Sequence, residues 1–347
     1  MPVPVELADS TLAAELAADL ARVEAVLQET AHPSDEVFTE VSRHLIEAGG
    51  KRFRAMLVLL AARFGDPSDP RIVDAALAIE ITHLGSLFHD DVMDEATIRR
   101  GHESANARWS NSVAILAGDW LFARASEILA DLGPEAIRIQ AETFSRLVSG
   151  QLAETVGPRP GQDPLDHYMY VISEKTGSLI ATAGRFGAMF SGAPDKQTDL
   201  IARACEQLGV AWQLSDDVLD VASDSSESGK SPGTDLRQGV RTLPVHYALR
   251  SALSSASPSA SPSASSSSAS ASADSRLREL LTESDLSDSR LLVEALELLR
   301  SSAALEAARS DVRRWAHGAR ELFGGLPDVP ARAAFESLCD FVITRTG

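Results

Sequence analysis

Two short acidic clusters carry the side chains with the clearest capacity for chemistry. The first is Asp90-Asp91-Val92-Met93-Asp94, and the second, Asp216-Asp217-Val218-Leu219-Asp220, repeats its spacing far downstream. On a helix, residues four apart share a face, so Asp90 and Asp94 present two carboxylates side by side while Asp91 turns to one flank. Like charges so placed repel. A hard cation between them reverses the sign, because Mg²⁺ takes carboxylate oxygens and completes its shell with water and substrate phosphates. One acidic helix face is ordinarily solvated surface; the second copy favours paired metal-binding motifs instead.

Positive charge is distributed as a complement. Arg99-Arg100-Gly101 follows the first motif, placed to meet the same phosphates. Lys51-Arg52-Phe53-Arg54 opens an apolar helix, where the macrodipole disfavours cations but free N–H groups and positive charge together favour an anion. A phosphate or diphosphate there turns the mutual repulsion of Lys51, Arg52 and Arg54 into an asset. His83 precedes Asp90 by seven residues, nearly two turns, and so lies near the aspartate face one layer deeper. Gly85 and Ser86, between them, either admit a neighbouring helix or leave a void. Lys175-Thr176-Gly177 interrupts another helix; glycine costs about 1 kcal/mol there, and a kink frees carbonyls beside Lys175 and Thr176. Ser228-Gly229-Lys230-Ser231 lacks the leading glycine spacing and the preceding strand of a nucleotide-binding loop, so that reading is rejected.

The elements that must position these groups read as helices. Apolar residues at spacings of three and four mark Ser10 to Thr30 (Leu12, Leu16, Leu20, Val23, Val26), a helix after Ser34 closed by Gly49-Gly50, and a long buried helix from Arg71 to Asp94. Further helices are expected from Ser112 to Leu132, Pro134 to Val156, Tyr168 to Phe190 and Thr198 to Val221, with another from Arg241 and three or four between Leu277 and Thr346. Alternating strand patterns are nearly absent, aromatics are 5%, and the fold class is all-α. Residues 254–275 are almost wholly Ser, Ala and Pro and are expected to be a disordered insertion.

Bulk properties narrow the function. A chain of 347 residues can enclose a large core. Two cysteines, Cys205 and Cys339, indicate no disulfide framework and fit a reducing cytoplasm. A net charge of −18 argues against a nucleic-acid partner but not against a local phosphate site. The start lacks a signal peptide, and no apolar run is expected to span a bilayer.

Two acidic motifs facing each other across a helical bundle can hold several Mg²⁺ ions and make a diphosphate a leaving group. No Ser, Cys or Asp nucleophile is arranged with a base, so ionisation to a carbocation is the natural chemistry. A dry, apolar helical pocket suits both a hydrocarbon and a cation that water would destroy.

From Ala48 to Val245 the sequence resembles the trans-isoprenyl diphosphate synthases, or polyprenyl synthetases. The likeness rests on Gly49-Gly50-Lys51-Arg52-Phe53-Arg54, the first aspartate motif with Arg99-Arg100-Gly101, Lys175-Thr176, Gln213 with the second motif, and Gly229-Lys230 with Gly233-Thr234-Asp235. Ala55, Trp212 and Arg241 stand where Pro, Phe or Tyr, and Lys are usual. The resemblance implies one domain over residues 1–347, antiparallel helices around a deep cavity, a homodimer, and addition of isopentenyl diphosphate to an allylic diphosphate. It implies three Mg²⁺ per site, with Asp90, Asp94 and Asp216 as ligands and Asp91, Asp217 and Asp220 supporting. Arg99, Lys175, Thr176, Gln213 and Lys230 would hold the allylic substrate, with Lys175, Thr176 and Gln213 catalytic; Lys51, Arg54, His83 and Arg100 would bind isopentenyl diphosphate. A cytoplasmic enzyme touching the membrane only peripherally, for product release, is expected. Gly85 and Ser86 beneath Asp90 leave a path for a growing chain, which points to a product longer than geranylgeranyl. The alternatives are a farnesyl or geranylgeranyl diphosphate synthase, a class I terpene cyclase, or a non-catalytic partner subunit.

Overall fold

Apolar spacing at three and four residues is realised as helix nearly throughout the computed structural model, which describes residues 7–30, 36–223, 232–255 and 268–346. In chain order the first helices are α1 (Ser10–Thr30), α2 (Glu36–Glu47), α3 (Phe53–Ala61) and α4 (Arg71–Met93). A two-residue hairpin, β1 (Ile98–Arg99) with β2 (His102–Glu103), leads into α5 (Ala105–Arg108), α6 (Asn111–Leu132) and α7 (Pro134–Val156). Then follow α8 (Pro164–Ile172), a π-helical turn at Ser173–Gly177, α9 (Ser178–Phe190) and α10 (Asp195–Ala222). The remainder is α11 (Thr234–Arg237), α12 (Leu243–Ser255), α13 (Ser268–Glu283), α14 (Ser289–Ser301), α15 (Ala303–Gly324) and α16 (Pro330–Thr344).

The helices gather into two compact units. One comprises Met1–Val148, Gly177–Glu206 and Ala319–Leu338; the other Ser149–Thr176, Gln207–Gly318 and Cys339–Gly347. In the first unit α4 is the central helix, packed on α6, α9, α3 and α1. Leu77, Ile81, Leu84 and Phe88 of α4 are fully enclosed with Ala114, Ala117 and Leu121 of α6. Glycine permits this approach: a Cβ at Gly118 would lie 3.0 Å from the Gly85 carbonyl and 2.3 Å from His89 Nε2, and one at Gly85 would lie 3.1 Å from the Phe122 ring. Gly85 therefore serves a helix–helix contact and not an open path beneath Asp90, which corrects the expectation from sequence. Ser86 is also buried, its hydroxyl donating to the His83 carbonyl at 2.8 Å.

Among the described residues one helix, α4, is long and apolar enough by composition to cross a membrane, and it is mostly buried within the protein. The second unit packs α12 on α8, α13 and α14, around Leu280, Leu292, Leu296 and Leu299. α8 starts before the expected Tyr168, because Asp163 caps it by accepting from the Leu165 N–H at 2.8 Å while Pro164 needs no donor. Where residues 254–275 were expected to be disordered, α12 runs to Ser255 and α13 begins at Ser268. Alanine favours helix, and Leu277 and Leu280 anchor α13 to the core. Residues 256–267 lie outside the described residues.

Candidate active site

In the first unit, α4 ends in the first aspartate motif. Asp94 is its exposed C-cap, Asp90 is half-buried, and Asp91 turns inward to complete burial. The hairpin brings a counterion: Arg99 Nε lies 2.6 Å from Asp91 Oδ1. Arg100 and Gly101 form the turn, both at positive φ (53° and 79°), the primed geometry that suits a two-residue hairpin. Burial pushes the Asp91 carboxyl above its usual range, against the pull of Arg99, and its Oδ2 has no hydrogen-bond partner.

Arg100 reaches back to the turn before α3, donating to the carbonyls of Leu45, at 3.1 Å, and Gly49. Arg54, Arg100, Arg52 and Arg99 surround His83, and burial first, then these four charges, hold its ring neutral, well below the usual imidazole range. A neutral imidazole amid guanidinium groups is an environment an anion would stabilise. Arg52, however, is already neutralised. Its side chain is 1% exposed and pairs with Glu24 at 2.7 Å and Glu80 at 3.3 Å, and it donates to the Ile46 carbonyl. The three cations expected to act together thus divide: Arg52 is a structural counterion, whereas Lys51 is exposed and Arg54 half-buried.

In the second unit, the expected kink at Lys175-Thr176-Gly177 is the π turn, an insertion frequent at functional sites. A Cβ at Gly150 of α7 would lie 2.8 Å from Glu174 Cβ, so α7 seats the turn closely. Lys175 pairs with Glu154 of α7. Thr176 donates to Gln213 Oε1 at 3.3 Å, and Gln213 Nε2 donates to Asp217 Oδ1 at 3.1 Å. The other oxygen of Asp217 accepts from the Tyr168 hydroxyl. Burial drives the Asp217 carboxyl up to about 7, partly countered by Tyr168 and Gln213. Asp217 is thus the buried keystone of a Thr176–Gln213–Tyr168 chain.

The remaining members of the second motif differ. Asp220 accepts the backbone amides that open α11, Thr234 at 3.1 Å and Asp235 at 3.2 Å, and so fixes the start of that helix. Asp216 is exposed and pairs with Arg345 at 3.0 Å. Lys230 lies outside the described residues. Sequence inspection missed Tyr168 and Arg345 as site residues. Tyr168 sits eight positions, about two turns, before Thr176; Arg345 has no local signal at all.

Among the described residues, no three His, Cys, Asp or Glu side chains converge to cage a metal. Mg²⁺ needs no such cage: it keeps several waters and takes one or two carboxylates together with substrate phosphates. The Asp91 Oδ2 atom, which has no hydrogen-bond partner, the half-buried Asp90 and the exposed Asp94 are acceptors of that kind.

The chain resembles known proteins along most of its length. A family described as polyprenyl synthetase matches residues 35–275. A nonaprenyl diphosphate synthase of Mycobacterium tuberculosis is 46% identical over 344 residues, 99% of this chain and 97% of that protein. A geranylgeranyl pyrophosphate synthase of Corynebacterium glutamicum, solved with calcium and isoprenyl diphosphate, superposes with a TM-score of 0.83 at 42% identity, covering 99% and 100% of the two chains. A decaprenyl diphosphate synthase of Rhodobacter capsulatus gives 0.80 at 33% identity, covering 97% and 99%. The all-helical scaffold, the repeated aspartate motif and these full-length likenesses agree, and we conclude that the chain belongs to the polyprenyl synthetase family and is a prenyltransferase.

Proposed function

We propose that this chain is a trans-polyprenyl diphosphate synthase that condenses isopentenyl diphosphate head-to-tail onto an allylic diphosphate and releases a product longer than geranylgeranyl. The observation that carries the reading is the division of labour within each aspartate motif. Asp91 and Asp217 are buried and hold Arg99 and Gln213, while Asp90, Asp94 and Asp216 stay accessible. The accessible three are the proposed Mg²⁺ ligands. Bound there with substrate oxygens, three Mg²⁺ ions would supply Lewis-acid assistance to departure of the allylic diphosphate.

The chain's own residues do the rest. Arg54 and Arg100, beside neutral His83, would hold the second diphosphate together with Lys51 by charge-assisted hydrogen bonds. Arg99, Lys175 and Lys230 would hold the allylic diphosphate. Thr176 and Gln213, locked by Asp217 and Tyr168, present fixed dipoles where positive charge develops. The sequence places no general base, and the released diphosphate is the natural acceptor for the last proton. Exposed apolar side chains on α6 (Ile115, Leu116) and α7 (Ile137, Val148) favour a homodimer. The two cysteines, Cys205 and Cys339, are both buried, which is compatible with a reducing cytoplasm.

The test is mass analysis of the product formed from farnesyl diphosphate and labelled isopentenyl diphosphate with Mg²⁺ by the purified chain. A polyprenyl diphosphate longer than geranylgeranyl is expected. A terpene cyclase would incorporate no label, a partner subunit would need a second chain, and a short-chain synthase would stop at or before geranylgeranyl. Asp90→Ala should abolish turnover; an active variant would refute the metal assignment.

A further inference from the structure

Arg345 follows directly on α16, and its guanidinium is held within the second unit by residues of one stretch of α10, with the Phe341 ring of α16 at 5.8 Å. The group lies 4.1 Å over the Trp212 ring, and Nη2 donates to the Trp212 carbonyl at 2.8 Å and to the Ser215 hydroxyl. Nη1 meets Asp216 Oδ1 at 3.0 Å. The arginine side chain is 13% exposed and that of Asp216 is 47% exposed, so a largely enclosed cation presents one donor to a carboxylate at the surface. Stacking sets the plane of the fork and the two Nη2 bonds set its rotation; little freedom remains for Nη1. An arginine fork can impose such geometry, whereas a lysine ammonium cannot.

We infer that Arg345 is a positioning residue for the divalent-cation–diphosphate complex, fixing the Asp216 carboxylate in one orientation before the cation arrives. The inference rests on the assignment of Asp216 as a metal-binding residue. Preorganisation removes an ordering cost from each binding event. The opposite behaviour is also physically defined: were Arg345 merely a competing cation on Asp216, its removal would tighten metal binding.

The test uses Mn²⁺ as probe, with free ion read by electron paramagnetic resonance in the presence of an unreactive allylic thiodiphosphate. Wild type, R345A, R345K, D216N and D216N/R345A are compared as full-length chains, with folding checked by circular dichroism. R345A is expected to need about fivefold more Mn²⁺, in line with loss of one net hydrogen bond. R345K should retain most of the defect, and R345A should add nothing in the D216N background. The Mg²⁺ needed for half-maximal turnover should rise in parallel, with the KM for isopentenyl diphosphate unchanged. Unchanged or tighter Mn²⁺ binding by R345A, full rescue by lysine, or an undiminished effect in D216N would overturn the inference. If R345A does not fold, R345K and D216N/R345K are read by the same criteria. Failure of the wild type to condense the two diphosphates would instead overturn the proposed function.

Discussion

Arg52→Met separates two roles that the sequence presents as one. If Lys51, Arg52 and Arg54 formed a single anion site, the loss would appear in the KM for isopentenyl diphosphate. The structure assigns Arg52 to Glu24, Glu80 and the Ile46 carbonyl instead. With the Arg52 and Glu80 side chains 1% and 2% exposed, water cannot screen their pair, and removing one partner of such a pair costs about 3–5 kcal/mol. Glu24, at 24% exposure, adds little; the lost bond to Ile46 adds about 1 kcal/mol. We expect a stability loss of about 4 kcal/mol by urea unfolding of the substrate-free protein, read from the midpoint at unchanged slope. Arg52→Met/Glu80→Met should recover much of it, because the uncompensated carboxylate is gone and the replacement is apolar. The KM for isopentenyl diphosphate should move far less than in Arg54→Ala. A loss under about 1 kcal/mol, or a double variant no more stable than the single, would refute the counterion assignment.

Tyr168→Phe removes the hydroxyl that holds Asp217 and should lower kcat about tenfold, the worth of a hydrogen bond to a charged group, with KM nearly unchanged in steady-state assays. A change confined to KM would place Tyr168 at substrate binding instead. Gly118→Ala puts a Cβ 2.3 Å from His89 Nε2 and 3.0 Å from the Gly85 carbonyl, an overpacking expected to cost about 1–3 kcal/mol in thermal unfolding. An unshifted melting temperature would contradict the close α4–α6 contact. Ser86→Phe, one turn below Asp90, should shorten the product seen by mass spectrometry; an unchanged distribution would remove Ser86 from the product path.

Local pattern carried the sequence reading a long way. The helix over Ser10–Thr30 and that over Pro134–Val156 have the bounds expected from apolar spacing and proline, and the glycine after Lys175-Thr176 marked the break that proves to be a π turn. Both aspartate motifs were legible because their spacing is itself helical geometry. Only the tertiary structure decided what each charged group meets. It buried Asp91 beside Arg99, gave Asp217 to Gln213 and Tyr168, and turned Gly85 into a helix contact. Arg52 finds Glu24 and Glu80 at 28 positions to either side, and Arg345 reaches Ser215 across 130. Periodicity is set by backbone geometry within a few turns, and sequence therefore reports it. Charge pairing depends on which helices pack together, a choice made by the whole core, and no spacing along the chain records it.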